Sequence, residues 1–314
     1  MRAGDIKRVV VVGAGTMGAC IAGEFARIGC QVAVVDLNPA QLANGKRILA
    51  HSQRTLVAAK RLTRQAVREE TRRITWTSDL AHACREAHLV VEAVSEDMAV
   101  KRALFAQCDR LCPPATILAT NTSGLSVTRI ASATRRAAQV AGMHFWNPPH
   151  IVPLVEVTRG RRTAEATLRL LLALARRMGK RPILVKQDIP GLVGNRLQFA
   201  VVREALKLLA DGVASAEDID TAMTAGPGLR YGLMGPLRTA DLGGLDVFHA
   251  VSSYLFEDLS AAKAPPAVLS DLVAGRRLGA KTGHGFYRYT KAGRRRLIDR
   301  RDKTLLGFLD LLKD

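Results

Sequence analysis

The stretch HFWNPPHIVPLVEV at 144–157 holds residue types suited to acid–base chemistry. His144 and His150 flank Asn147, and Glu156 follows in an apolar run. A histidine titrates near neutrality and can take the proton of a hydroxyl, while a carboxylate fixes its tautomer and steadies its charged form. Seven histidines compete for such a role. His51, His82 and His88 fall in or beside predicted helices of the first half, and His249 and His284 lie near the other end. Only His144 and His150 sit at a predicted strand end with an amide, a proline turn and a downstream acid close by. The segment by itself does not choose between them.

A second constellation lies near the start. GAGTMG places Gly13, Gly15 and Gly18 in G-x-G-x-x-G spacing, with Thr16 and Met17 between, directly after the apolar run Val9–Val12. Such glycines permit a tight turn, a close approach of backbone to pyrophosphate, and close packing of helix on strand. A second predicted strand ends at Asp36, where a carboxylate can bond the adenosine ribose hydroxyls. Asp36 with Leu37 beside it favours NAD over NADP, since a 2′-phosphate would be repelled. An oxidation that passes hydride to NAD must also remove the hydroxyl proton, which links the two constellations.

The elements that must position these residues read as follows. Strand-like segments at 9–12, 31–35, 88–94, 115–120, 138–144, 151–157 and 182–186 alternate with helix-like ones, among them 97–111 and 126–132. Residues 39–72 form an excursion of two polar, basic helices. Thr163 is the expected N-cap of the helix that stops at Gly179. Beyond the Pro-Gly punctuation of QDIPGLV at 187–193 only helical periodicity recurs, and Ser215 opens a helix with a capping box. The pattern predicts an α/β Rossmann-like domain with a mainly parallel sheet and a helical excursion over 1–187, followed by an all-α domain over 188–290. A basic tail with an amphipathic helix occupies 291–314.

Composition narrows the class. Hydrophobic residues make up 48% and charged residues 24% of the 314, as in globular proteins. Five cysteines without CxxC spacing argue for reduced thiols in a cytoplasm and for no metal site. The N-terminal run is too short and too glycine-punctuated for a signal peptide, and no segment approaches a membrane span, so a soluble protein is expected. The net charge of +19 resides mainly in arginine clusters at 54–73, 159–162, 176–181 and 294–301. With only 14 aromatic residues and no nucleic-acid module, a solvated basic surface or an attraction for polyanionic small molecules is expected, rather than nucleic-acid binding.

Read in order, GAGTMG, VEAVSEDMAVK, NTSGLSVTRIA, GMHFWNPPHIVPLVEV, DIPGLVGNRLQ, EDIDTAM, GPLRTADLGGLD and KTGHGFYRY resemble the L-3-hydroxyacyl-CoA dehydrogenase family over residues 8 to about 289. The resemblance implies that His144 is the general base and pairs with Glu156, that Ser123 and Asn195 hold the substrate oxygen, and that Asn147 is the amide of the HFxNP turn. It implies that Glu96, Lys101 and Asn121 lie at the cofactor, although Glu96 and Lys101 also read as an ordinary surface pair at a helix start. His150 matches no catalytic position and becomes a turn or pocket-wall residue. The implied activity is NAD-dependent interconversion of a 3-hydroxyacyl-CoA and its 3-oxoacyl-CoA, in fatty acid metabolism, by a homodimer with substrate between its domains.

Two departures bear on substrate. TAGPGLRYGLMGP is longer than the family's usual stretch before its MGP motif, and WNPPH replaces the commoner FNPV form. The first resembles branches acting without coenzyme A, namely L-gulonate dehydrogenase/lambda-crystallin and dehydrogenases of pyridine-carboxylate breakdown. In that reading Arg230 binds a substrate carboxylate bidentately, the alternative being an ordinary surface position. A non-catalytic NAD-binding protein, as lambda-crystallin illustrates, is the third reading, and the intact set of Ser123, His144, Asn147, Glu156 and Asn195 speaks against it.

Overall fold

The computed structural model describes residues 2–312, which fall into two compact units dividing between Asn195 and Arg196. The first unit runs β1 (Arg8–Val12), α1 (Thr16–Arg27), β2 (Gln31–Val35), α2 (Pro39–Ala58), α3 (Arg64–Arg72), β3 (Ile74–Thr77), α4 (Leu80–Cys84) and β4 (Leu89–Glu92). It continues with α5 (Met98–Leu111), β5 (Ile117–Thr120), α6 (Val127–Ala131), β6 (Val140–Phe145), β7 (Leu154–Thr158), α7 (Glu165–Arg177) and β8 (Arg181–Val185). The strands form one sheet in the order β3-β2-β1-β4-β5-β6-β7-β8. All neighbours pair in parallel except β6 with β7.

The Val9–Val12 run shows why this sheet is covered on both faces. Val9 and Val11 join an apolar cluster with α1 and α7, whereas Val10 and Val12 join a second with α4, α5 and α6. Side chains alternate across a strand, so an unbroken apolar run needs a core on each side. The same alternation governs β6 and β7. Met143, Phe145, Val155 and Val157 fill the first cluster, which turns His144 and Glu156 to the other face.

Two expectations change. β3 was not expected, because ITWT alternates a buried residue with exposed and half-buried ones and lacks a long apolar run. It pairs with β2 from Val32↔Ile74 to Val35↔Thr77 at the sheet edge, where the excursion returns. Thr163 is not the N-cap of α7: the cap is Ala164, without a side-chain bond. The Thr163 hydroxyl is instead donated to the Val140 carbonyl and accepts from the Gly160 amide, holding the α7 entry against β6.

The excursion is anchored by a buried charge network. Glu24 on α1 accepts from Arg27 at 2.6 Å and pairs with Lys180 at 3.0 Å, while Glu70 on α3 takes Arg27 and, at 3.1 Å, Gln53 of α2. In the second unit α8 (Gly194–Ala210), which starts just before the division, leads into α9 (Ala216–Ala225), α10 (Pro227–Gly243), α11 (Leu245–Asp258), α12 (Ala267–Ala274) and α13 (Lys291–Leu311). Ser215 caps α9 by accepting from the Asp218 amide. α10 is kinked at Gly235, with φ +76°, just before Pro236. The tail helix α13 starts at Lys291 and its Leu306 and Asp302 are buried.

Candidate active site

The glycine loop joins β1 to α1 and each glycine has a separate reason. Gly13 takes φ +107°, and a Cβ there would stand 2.5 Å from the Ala93 carbonyl oxygen. A Cβ on Gly18 would stand 1.8 Å from the Gly13 oxygen, so this residue sets the closeness of helix and strand. Around Gly15 nothing lies within 4 Å of such a Cβ: the backbone there faces open space at the N-terminus of α1. Thr16 and Met17 form the first turn, whose amides have no intrahelical partner and favour an anion. Asp36, just past β2, accepts from the Ala14 amide at 2.9 Å and the Asn38 amide at 3.0 Å, tying loop and second strand together. An open Gly15, a helix N-terminus and a carboxylate held one strand away fit a dinucleotide.

At the end of β6, His144 faces Glu156 directly across the antiparallel register. Paired residues in such a register bring their side chains within reach, and His144 Nδ1 lies 2.9 Å from Glu156 Oε2. Both are buried. The eleven intervening residues form the turn and the start of the return strand, so sequence distance is undone by one hairpin. Glu156 also accepts from Trp146 Nε1 and from the Val193 and Gly194 amides, each at 3.0 Å. Burial raises its proton affinity, but the bonds from His144, Gly194, Trp146 and Val193 prevail and hold its carboxyl below the ordinary range.

A second polar cluster lies at the ends of β4 and β5. Lys101 on α5 is 1% exposed and pairs with Glu92 at 2.5 Å and Glu96 at 3.2 Å. This burial removes the surface-pair reading of Glu96 and Lys101: desolvation makes an ammonium in such a place depend on its carboxylates. Glu96 accepts from Thr122 Oγ1, the Ser123 amide at 2.9 Å and the Gly124 amide, and so shapes the NTSG loop. Opposed by burial, the bonds from Thr122, Lys101 and Ser123 lower its carboxyl's pKa. Asn121 accepts from the Phe145 amide at 2.8 Å, locking this loop to the strand that carries His144.

Ser123 and Asn195 meet: Asn195 Nδ2 donates to the Ser123 carbonyl at 2.8 Å. Asn147 is exposed in the turn after β6, and His150 is half-buried in the same turn. Arg230 lies exposed on α10, in the second unit. Sequence reasoning missed Glu92, which is fully buried and accepts from Lys101, Thr120 Oγ1 and the Val94 amide. It also missed Trp146 and Asp188. The Asp188 carboxylate accepts from Ser126 Oγ and the Val127 and Thr128 amides, closing the α6 start onto the end of β8. A lone acid in an apolar strand, VVEAV, was the available signal for Glu92.

Comparison with known proteins agrees with this geometry. The family model of the 3-hydroxyacyl-CoA dehydrogenase NAD binding domain matches residues 8–189, and that of the C-terminal domain matches 191–289. A probable 3-hydroxybutyryl-CoA dehydrogenase of Bacillus subtilis is 41% identical over 91% of this chain and 98% of its own length. The 5-formyl-3-hydroxy-2-methylpyridine 4-carboxylate 5-dehydrogenase of Mesorhizobium japonicum is 33% identical over 98% of this chain and 99% of its own. A crystal structure of a dehydrogenase of that name, an NAD+-dependent dismutase, matches with TM-score 0.92 at 33% identity over 98% of this chain and 99% of that one. The structure of (S)-3-hydroxybutyryl-CoA dehydrogenase from Ralstonia eutropha matches with TM-score 0.75 at 36% identity over 91% and 100%. With a glycine loop shaped for NAD and both domains of the family in their order, this chain belongs to the 3-hydroxyacyl-CoA dehydrogenase family of NAD-dependent oxidoreductases.

Proposed function

We propose that the protein oxidises the hydroxyl of a 3-hydroxyacyl-CoA to the 3-oxo compound, or runs the reverse, with His144 as general base. The observation that carries this is the buried His144–Glu156 pair at the end of β6. With Nδ1–H donated to Glu156, the Nε2 lone pair is left to take the hydroxyl proton. Glu156 stabilises the imidazolium so formed. NAD, when bound at the glycine loop and Asp36, supplies the hydride acceptor. Ser123 Oγ, and the amide of Asn195 beyond its bond to the Ser123 carbonyl, steady the reacting oxygen as neutral donors, without titrating near pH 7. Glu96 and Asn121 keep this loop in place, and Lys101 neutralises the carboxylates behind it. Asn147 belongs to the same turn as His144 and is assigned to the catalytic set by the family motif. His144→Gln should abolish turnover while NADH still binds; turnover near wild type in that variant would refute the assignment.

A second reading keeps the chemistry and changes the substrate to a carboxylate without coenzyme A, and one observation favours it. Helix α13 lies beyond residue 289, where the C-terminal family model ends; the 3-hydroxybutyryl-CoA dehydrogenase relatives match about nine-tenths of this chain, and a 3-hydroxyacyl-CoA dehydrogenase structure that matches 97% of it does so with TM-score 0.68. The pyridine-carboxylate dehydrogenase structure matches 98% of it with TM-score 0.92. α13 is also packed on the lengthened stretch before MGP: a Cβ on Gly232 would stand 3.1 Å from the ring of Phe308. Arg230, two residues before that contact, is the proposed carboxylate partner. A panel of 3-hydroxyacyl-CoA esters, gulonate and hydroxymethyl-aromatic acids, followed by NADH absorbance, decides between the two. Loss on Arg230→Ala confined to carboxylate substrates supports the second.

The same family reading makes the protein a homodimer through its second unit, supported by the exposed Phe199, Leu237, Leu242, Tyr254 and Phe256. Light scattering behind size exclusion reads this directly. A cytoplasmic location is supported by five free, buried cysteines. Among the described residues no helix is long and apolar enough to cross a membrane.

A further inference from the structure

Glu156 Oε2 serves two donors, and only one of them is the imidazole. His144 Nδ1 is 2.9 Å away and Trp146 Nε1 is 3.0 Å away, while Oε1 is taken by the Val193 and Gly194 amides. The indole lies against the imidazole, with ring centroids 5.8 Å apart and planes at 56°. It is seated by Gly194, whose Cβ, had it one, would be 2.4 Å from the Trp146 ring. An indole donates through one N–H and accepts nothing, so this bond has a fixed polarity. A phenylalanine lacks this donor and also the outer ring that meets Gly194.

We propose that Trp146 is a positioning residue for the Glu156–His144 pair: its N–H holds Glu156 Oε2 beside His144 Nδ1 and moderates the carboxylate's grip on the imidazolium proton. This rests on the reading of His144 as the base. A carboxylate that spends charge on a neutral donor attracts a neighbouring cation less. Without the indole bond, Oε2 has only the imidazole to serve, and the imidazolium form gains.

The surrounding charges do not change with Trp146. β6 carries no other ionisable group, and β8 brings Arg181 at one end with Lys186 just beyond the other. The loop before α8 brings Asp188, the NTSG loop rests on Glu96 with Lys101, the turn holds His150, and α6 contributes Arg129. α7 lies on the opposite face, with Val155 and Val157. Any shift in Trp146→Phe is therefore assigned to the indole and not to altered charges, and the upward direction marks the lost N–H, since loss of ring contact with the imidazolium would lower the midpoint.

The test needs no identified substrate for its first arm. Full-length protein labelled with ¹⁵N at histidine is titrated by NMR, with His144 assigned by its absence in His144→Gln. In Trp146→Phe the His144 ring should titrate roughly 0.5–1 pH unit higher than in wild type. A midpoint that stays put overturns the proposal. In wild type the Trp146 indole proton, one of only two in the chain, should be protected from exchange and respond to Glu156→Gln. If Trp146→Phe does not fold, an indole that exchanges freely refutes the proposal without it. The second arm uses whichever panel compound turns over: the acid limb of alcohol oxidation should rise with the ring titration. Rates near pH 6 then fall about three- to tenfold, and rates near pH 9 stay within about twofold. A ring titration that moves while the rate profile does not would leave Trp146 as proposed and refute His144 as the base.

Discussion

Replacing Glu156 with glutamine keeps the side chain's shape and removes its charge and half of its acceptors. The wild-type carboxylate takes four donors, two on each oxygen. An amide offers one oxygen and one NH2, so one pair of donors must face another donor. The Val193 and Gly194 amides cannot change their polarity, whereas an imidazole can move its proton to the other nitrogen. The glutamine oxygen is therefore expected to face the backbone amides and its NH2 to face His144. His144 then accepts at Nδ1 and carries its proton on Nε2, the nitrogen meant to receive one from substrate. The Trp146 N–H is left without an acceptor. One unsatisfied donor costs about 1–3 kcal/mol, which for a unit of this size is roughly 2–12 °C in melting temperature. The tautomer error costs far more in rate: the equivalent change of the carboxylate in a serine-protease triad lowers kcat about 10⁴-fold. A drop in kcat/KM of about 10³–10⁴ is expected, with NADH affinity from fluorescence titration unchanged, since Asp36 and the glycine loop are untouched. A variant within tenfold of wild type would refute the claim that Glu156 sets the histidine tautomer.

Other predictions separate structural from chemical roles. Lys101→Met leaves Glu92 buried without its cation, at a cost of about 3–5 kcal/mol, and should lower the calorimetric melting temperature of the first unit; an unchanged melt would restore the surface-pair reading. Gly18→Ala puts a methyl into the Gly13 carbonyl and should unfold or strongly destabilise the NAD-binding unit, whereas Gly15→Ala meets open space and should weaken NADH binding with little change in melting temperature. Glu96, Glu156 and Asp188 all ionise more readily in the fold than in the unfolded chain. Their contribution to stability is therefore complete above the ordinary carboxylate range near pH 4 and lost as pH falls through the lowered folded values. Denaturant melts from pH 7 to pH 3 should show the decline, and Asp188→Asn should make it shallower.

The sequence by itself determined the order of strands and helices in the first unit apart from β3, the glycine loop with Asp36, and the HFWNPPH turn. Each of these is written in local pattern: apolar runs, glycine spacing, proline punctuation. It also carried the pairing of His144 with Glu156, by resemblance, and the hairpin register made that pairing physical. Tertiary structure decided what local pattern does not encode. β3 exists because an edge beside β2 was available to a half-buried segment. Thr163 lost its capping role because the Val140 carbonyl came within reach from a strand 23 residues away. Lys101 is a buried cation because α5 packs it against Glu92 and Glu96, although the same spacing on an exposed face would be an ordinary surface pair. Glu156 gained its Trp146 and Gly194 partners from the turn and from the start of α8. Hydrogen-bond partners that converge from distant segments are chosen by packing, and packing is a property of the folded chain as a whole.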